Sequence, residues 1–386
     1  MAVAVEVRDQ ILAAPPQPLD APPGEQPLDG ARPLGRAPQW VEHLCTRHGP
    51  PRDTRRQLAA NGFYLGQLRH FPKRTRRATI ARMAKLCAAL LAVAGALALV
   101  TPAHAAFPGR NGKIAFASGR DGQYQIYLMD RDGSGQHNLS NSPHLDFSPT
   151  WSPDGKWLAF ERIQRVEHGF EGTDVWVMNA KGRKQRQVTF DGRSGRPAWS
   201  PDGNRIAFSS HVGFDSELFV IDADGSNRTQ LTANEPSQFS EAGDTAPAWA
   251  PDGSRIAWFA QRFRGFTQLG YGIYTMNPDG TDEQLLVAGA THVDWAPDSA
   301  RLLVDCGILC TVNRDGSNLQ PVGLGPAIRD GGGGVWSPDG TMVALGAHRQ
   351  SEPFDAEVFV ARADGSEVTN LTQHPAIDGG PTWQPR

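Results

Sequence analysis

The sequence predicts an all-β fold, a six-bladed β-propeller of four-stranded antiparallel blades whose ring is closed by the C-terminal strand. The first observation is a repeat: WSPDGKWLAF from Trp151 returns as WSPDGNRIAF from Trp199, WAPDGSRIAW from Trp249, WAPDSARLLV from Trp295 and WSPDGTMVAL from Trp336. A period of roughly 41 to 50 residues, counted between those tryptophans, is that of propeller blades among repeat architectures. The second is a companion motif after each copy, as in IYLMDRDG from Ile126, VWVMNAKG from Val175 and LFVIDADG from Leu218. The third is a pair of half-copies, PGRNGKIAF from Pro108 and PTWQP from Pro381, which complete each other.

Each element follows from its residues. The Trp ends an innermost strand, because the Pro two residues on cannot donate to a ladder. Asp-Gly then supplies the positive φ of a tight reversal, and an apolar run such as Ile206, Ala207 and Phe208 begins a second strand. The companion motif, apolar on both faces and closed by another Asp-Gly type turn, reads as a third strand sandwiched between neighbouring sheets. Short polar stretches such as residues 228–232 and 369–372 are expected as outer strands. The second-strand motif and the Trp each occur six times, and the counts match only if the Trp383 strand becomes the innermost strand of the blade that Ile114 opens. Such closure protects sheet edges.

The chain before the repeats divides in two. Residues 1–82 are rich in proline and lack periodicity, so they are expected to be a disordered or mis-assigned extension. Residues 83–105 read as an export signal: Met83, Lys85 and upstream arginines precede an apolar run at 86–100 and the A-x-A site Ala103-His104-Ala105. Met83 stands where an initiator would stand. The mature domain is then residues 106–386, exported to the periplasm or outside the cell, with no stable membrane anchor after cleavage near Ala105.

Charge and cysteine content narrow the partners. The chain carries 38 Lys and Arg against 41 Asp and Glu; residues 106–386 hold 24 and 34 of these, a net of −10. An acidic domain argues against nucleic acid, since phosphate binding needs a basic face. Cys306 and Cys310, in DCGILC, are a disulfide candidate in an oxidising compartment.

Repeats of the form P-x-W-S-P-D-G-x-x-I-A-F followed by I-Y-V-M-D-x-D-G resemble those of the TolB family of exported β-propellers. The resemblance covers essentially everything after the signal and implies the propeller fold. TolB proteins carry an α/β domain between signal and propeller, whereas here the repeats begin at Gly112, so a place in a Tol-Pal complex is not implied. Similar repeats also gate peptidases of the prolyl oligopeptidase type, but no G-x-S-x-G nucleophile elbow is present.

Strand order puts the loops joining second to third strands, and outer strands to the next Trp strand, on one face. Six histidines fall in these loops, His144, His168, His211, His292, His348 and His374, together with Asp146, Asp244 and Asp378, each five residues before a Trp. The three aspartates, assigned to non-adjacent blades, are expected to converge on the axis, where like charges require a compensating partner. Arg329 is an internal candidate, and Asp294 and Asp330 lie nearby in sequence. With His144, His292 and His374 these residues form a candidate ligand-binding funnel; turn-capping aspartates are the plainer reading of the same pattern. No metal-site or catalytic spacing is found, so no cofactor is expected. Two functions stay open: a monomeric, non-enzymatic exported module binding a protein, peptide or glycan, and a hydrolase or lyase using a His/Asp-bound metal in the funnel.

Overall fold

The computed structural model describes residues 104–386 apart from 167–168, 214, 235–242, 265–266, 327 and 350–351. The expected extension and most of the export signal, residues 1–103, lie outside the described residues. Among those described, no segment is helical.

The strands, in chain order, begin with β1 (His104–Ala105), β2 (Asn111–Ser118), β3 (Gln125–Met129) and β4 (His137–Asn138). Next come β5 (Leu145–Trp151), β6 (Trp157–Val166), β7 (Gly169–Asn179) and β8 (Arg186–Gln187). They are followed by β9 (Ser194–Trp199), β10 (Arg205–Val212), β11 (Asp215–Asp222) and β12 (Thr229–Gln230). Then β13 (Gly243–Trp249), β14 (Ile256–Arg264), β15 (Thr267–Met276) and β16 (Gln284–Ala288) lead to β17 (Val293–Trp295), β18 (Arg301–Asp305), β19 (Leu309–Asn313) and β20 (Gln320–Pro321). Last are β21 (Ile328–Trp336), β22 (Met342–Arg349), β23 (Glu352–Arg362), β24 (Thr369–Asn370) and β25 (Asp378–Pro385).

Successive strands pair antiparallel in runs of four, and β25 pairs with β2 to give the order β25-β2-β3-β4. The sheets β9–β12 and β13–β16 are joined by one parallel bridge, Ser216 to Gly243. The Trp-bearing strands lie side by side in the succession β5, β9, β13, β17, β21, β25, with β25 also beside β5. The outer strands are shorter than the sequence suggests, mostly two residues, because their polar side chains have no further sheet to pack on.

Local geometry repeats with the sequence. The Asp-Gly reversals place Gly155, Gly203, Gly253 and Gly340 at φ of 65°, 71°, 74° and 70°; Ser299 takes the same position at 57°. Three residues before the Trp the inner strand bulges, with Ser148, Arg196, Ala246, Gly333 and Gly380 at φ between 52° and 57°. Four of these bulges precede Pro149, Pro197, Pro247 and Pro381, residues that cannot donate to a ladder. β17 is only three residues long and has no bulge.

The core lies between sheets. Trp151, Trp199, Trp249, Trp295, Trp336 and Trp383 are all buried. Trp151, Leu158 and Phe160 pack on Ala115, Ile126 and Leu139 of the preceding sheet, and Ile114, Phe116 and Trp383 pack on Val335, Val358 and Leu371. In most repeats the turn after the third strand approaches the sheet before it so closely that only glycine fits. A Cβ at Gly280 would fall 2.7 Å from the Leu231 carbonyl oxygen, at Gly316 2.9 Å from Leu286 O, at Gly365 2.6 Å from Gly323 O and at Gly133 2.8 Å from Leu371 O.

One feature has no sequence precursor. β1 lies parallel on β17, His104 opposite Asp294 and Ala105 opposite Trp295, so the last two residues of the A-x-A site belong to a sheet here. Ala106 N–H donates to Trp295 O at 3.3 Å, and Phe107 is buried with Trp199 and Phe208. Gly109 N–H then donates to Pro338 O, and Arg110 and Arg386 exchange backbone hydrogen bonds of 2.7 and 3.0 Å.

Candidate functional site

The three aspartates five residues before a Trp each meet an arginine of their own sheet. Asp146, on β5, accepts from Arg162 Nε at 2.6 Å and from a terminal guanidinium nitrogen at 2.9 Å. Asp378, on β25, is paired with Arg120 at 2.7 Å, and Asp244, on β13, with Arg262. All three carboxylates are fully buried. Each guanidinium also lies over an aromatic ring of the third strand: Arg162 over Trp176 at 4.6 Å, Arg262 over Tyr274 at 4.6 Å, Arg120 over Tyr127 at 4.7 Å. The unit is therefore carboxylate, guanidinium and ring, with the guanidinium supplied by the second strand in two cases and by the β2–β3 turn in the case of Arg120.

This corrects one expectation. The aspartates do not sit on mutually non-adjacent sheets, because β25 is next to β5. The compensating partner that the sequence called for is a basic side chain in each case, Arg162, Arg262 or Arg120. Arg329 and Asp330 lie on β21, and their side chains are outside the described residues. The arginines were legible as a pattern: they stand four or six residues after the start of the second-strand motif, in LAFER, IAWFAQR and IAFASGR, in the repeats that carry the aspartate. Burial pushes the carboxyls of Asp146 and Asp378 above the usual range, against the pull of their arginines.

Among the described residues, the histidines of the loop face have separate partners. His292 is buried with Nε2 3.1 Å from Gly334 O, whereas His374 accepts the Ala376 N–H on Nδ1 at 3.1 Å. His144 is half-buried, and burial with the nearby Arg162 charge holds its imidazole below its ordinary pKa. His211 and His348 sit on β10 and β22, and His168 is outside the described residues. Among the described residues, no group of three or more His, Cys, Asp or Glu side chains is arranged to hold a metal ion. Asp294 is fully buried; one oxygen accepts the Trp336 N–H at 2.7 Å and the other has no hydrogen-bond partner. Burial raises its pKa well above the carboxylate range.

The loop face also exposes apolar side chains. Phe190 precedes β9, Val212 ends β10, Leu269 and Tyr271 stand in the β14–β15 hairpin and Ile308 tips the β18–β19 hairpin. These five, with Leu285 and Leu319 elsewhere, are the exposed large hydrophobic side chains among the described residues. Cys306 and Cys310 are disulfide-bonded across the hairpin that carries Ile308, their Cα atoms 6.6 Å apart. So short a loop adds at most about 2 kcal/mol of stability, but it fixes the shape of the tip.

Radially packed four-stranded antiparallel sheets with Trp-bearing inner strands define a β-propeller. Residues 99–307 match the family model described as the TolB beta propeller domain, and the chain belongs to that family. Among curated relatives, a Tol-Pal system protein TolB of Desulfosudis oleivorans is 25% identical over 120 residues, 31% of this chain and 26% of that one. A TolB homolog of Chlorobium chlorochromatii is 36% identical over 122 residues, 32% of this chain and 26% of that one. The matched segment thus spans about a quarter of those relatives. Among solved structures, TolB from Acinetobacter baumannii superposes with a TM-score of 0.58 at 18% identity, over 71% of this chain and 67% of that chain.

Proposed function

We propose that this protein is an exported, non-enzymatic binding module that presents the loop face of a six-bladed propeller to a protein or peptide partner. The observation that carries it is the set of exposed apolar side chains Phe190, Val212, Leu269, Tyr271 and Ile308, borne by the loops of three successive sheets on one face. Monomeric proteins keep large apolar side chains scattered, and a run of them rimmed by polar loops marks an interaction surface. Similarity to Tol-Pal system proteins supports a protein partner and an exported setting. The buried Asp–Arg–ring units are architectural in this reading. They hold the inner strands so that the hairpins above them project in fixed directions.

Six blades closed by β25 are part of the proposal. What supports them is recurrence across the junction: Gly133 packs on Leu371 as Gly280 packs on Leu231, and β25 lies against β5 as β5 lies against β9. Export rests on the signal-like residues 83–105, and N-terminal sequencing of the secreted form should give Ala106 as its first residue. The binding reading is tested by affinity capture from the exported fraction with Phe190→Asp/Leu269→Asp/Ile308→Asp beside Leu285→Asp/Leu319→Asp. The first variant should lose the partners that wild type recovers, and the second should keep them. Equal recovery by both would place the interaction elsewhere.

A further inference from the structure

The opposite face, where the Asp-Gly turns lie, carries a different chemistry. Arg110, Arg131 and Arg386 line one cavity of about 530 Å³ together with Asn111 and Asp339. The three arginines come from separate segments: Arg110 precedes β2, Arg131 follows β3 by two residues, and Arg386 follows β25. The backbone hydrogen bonds between Arg110 and Arg386 fix two of these positions without using the guanidiniums. Among the described residues, no carboxylate side chain forms an ion pair with any of the three. The only guanidinium contact within reach of the cavity is weak, Arg386 Nε to Gln384 Oε1 at 3.3 Å.

The local charge is the reverse of the domain's. Asp339 is occupied by Ser337 Oγ at 2.7 Å and by Thr341 N and Oγ1 at 2.9 and 2.7 Å. Among the side chains that line the cavity, three guanidiniums stand against one carboxylate, Asp339, in a domain with an excess of ten acidic residues, and the exposed Asp132 stands beside Arg131 at its rim. Two other arginines of this face are matched, Arg314 with Asp252 at 2.8 Å and Arg255 with Asp282 at 2.7 Å. Guanidinium forks match oxyanions two bonds at a time, and the cavity is far larger than a halide or a single water needs.

We propose that this cavity binds a compact multivalent oxyanion, a small molecule bearing phosphate or several carboxylate groups. Such an anion bridges Arg110 and Arg386, and so ties the start of β2 to the end of β25, the ladder that joins the first and last strands of the domain. Binding therefore stabilises the fold by mass action as well as filling the site. The site is independent of the partner face.

The test is calorimetric titration of the full exported protein with pyrophosphate and, separately, with citrate at low ionic strength, alongside thermal scans. Saturable binding of at least one anion with Kd below about 1 mM and a raised Tm is expected. Arg110→Gln and Arg131→Gln should each weaken it by about tenfold or more, while Arg314→Gln keeps the wild-type Kd. Should Arg110→Gln fail to fold, Arg131→Gln at its exposed turn makes the same comparison alone. Absence of saturable binding by both anions, or an unchanged Kd in Arg131→Gln, overturns the proposal.

Discussion

Arg162 grips both oxygens of Asp146, at 2.6 and 2.9 Å, with the two side chains 4% and 0% exposed. A pair so placed is costly to break on one side, because the survivor is a buried charge without a counterion. Arg162→Met is expected to cost about 3–5 kcal/mol in urea unfolding, and Arg162→Met/Asp146→Asn to recover most of that loss. A cost below about 1 kcal/mol for the single variant would remove the pair from the architecture of the inner strands.

Asp294 predicts a pH dependence. Burial raises its folded pKa well above the ordinary carboxylate value, so the folded state holds a proton that the unfolded chain has released. Its contribution is complete at acid pH, below the unfolded value near 3.9, and is lost as pH rises through the interval up to the folded pKa. Asp294→Asn should be more stable than wild type at neutral pH, with a gain that grows by at most about 1.4 kcal/mol per pH unit across that interval and vanishes towards pH 4. Denaturant curves between pH 4 and 8 check this, and a difference that stays flat with pH contradicts it.

Gly155 and Gly253 occupy the same turn in different repeats, yet they should respond differently to alanine. Both have positive φ, which costs an added Cβ about 1–2 kcal/mol. At Gly253 the nearest neighbour of that Cβ is Pro201 Cγ at 3.9 Å, whereas at Gly155 it would overlap the Pro385 carbonyl oxygen. Gly155→Ala is therefore expected to lower Tm several degrees further than Gly253→Ala. Equal shifts would mean that β25 does not sit against the β5–β6 turn.

Removing residues 380–386 strips β2 of its inner neighbour and deletes buried Trp383. Truncating a buried Trp costs about 3–5 kcal/mol by itself, so the shortened protein should unfold at much lower denaturant concentration. An unchanged midpoint would require some other closure of the first sheet.

Much of the architecture was legible because each repeat states it again. The Trp, the Pro two residues later and the Asp-Gly turn act locally, so WSPDG announces its hairpin wherever it occurs, and even Ser299 adopts the turn conformation of the glycine it replaces. The pairing of β25 with β2 was legible as two halves of one motif. The Asp–Arg–ring unit was half legible: Asp146, Asp244 and Asp378 stood out by spacing, but their arginines fall at two different offsets, since Arg162 stands directly opposite its aspartate whereas Arg262 and Arg120 come two residues after the residue opposite theirs. The parallel seat of β1 on β17 was not legible, since it depends on β17 being too short to bulge and on partners about 190 residues away in sequence. The basic cavity escaped for a similar reason: Arg110, Arg131 and Arg386 meet only when the first and last strands do.

The partner-binding loop face is tested most directly by site-specific photocrosslinking of the exported protein in its own compartment. A crosslinkable residue placed at Phe190, Leu269 or Ile308 should capture one and the same protein, and one placed at Asp224, Asp279 or Asp315, on the turn face, should not. Capture of that protein only from the turn-face positions would contradict the account.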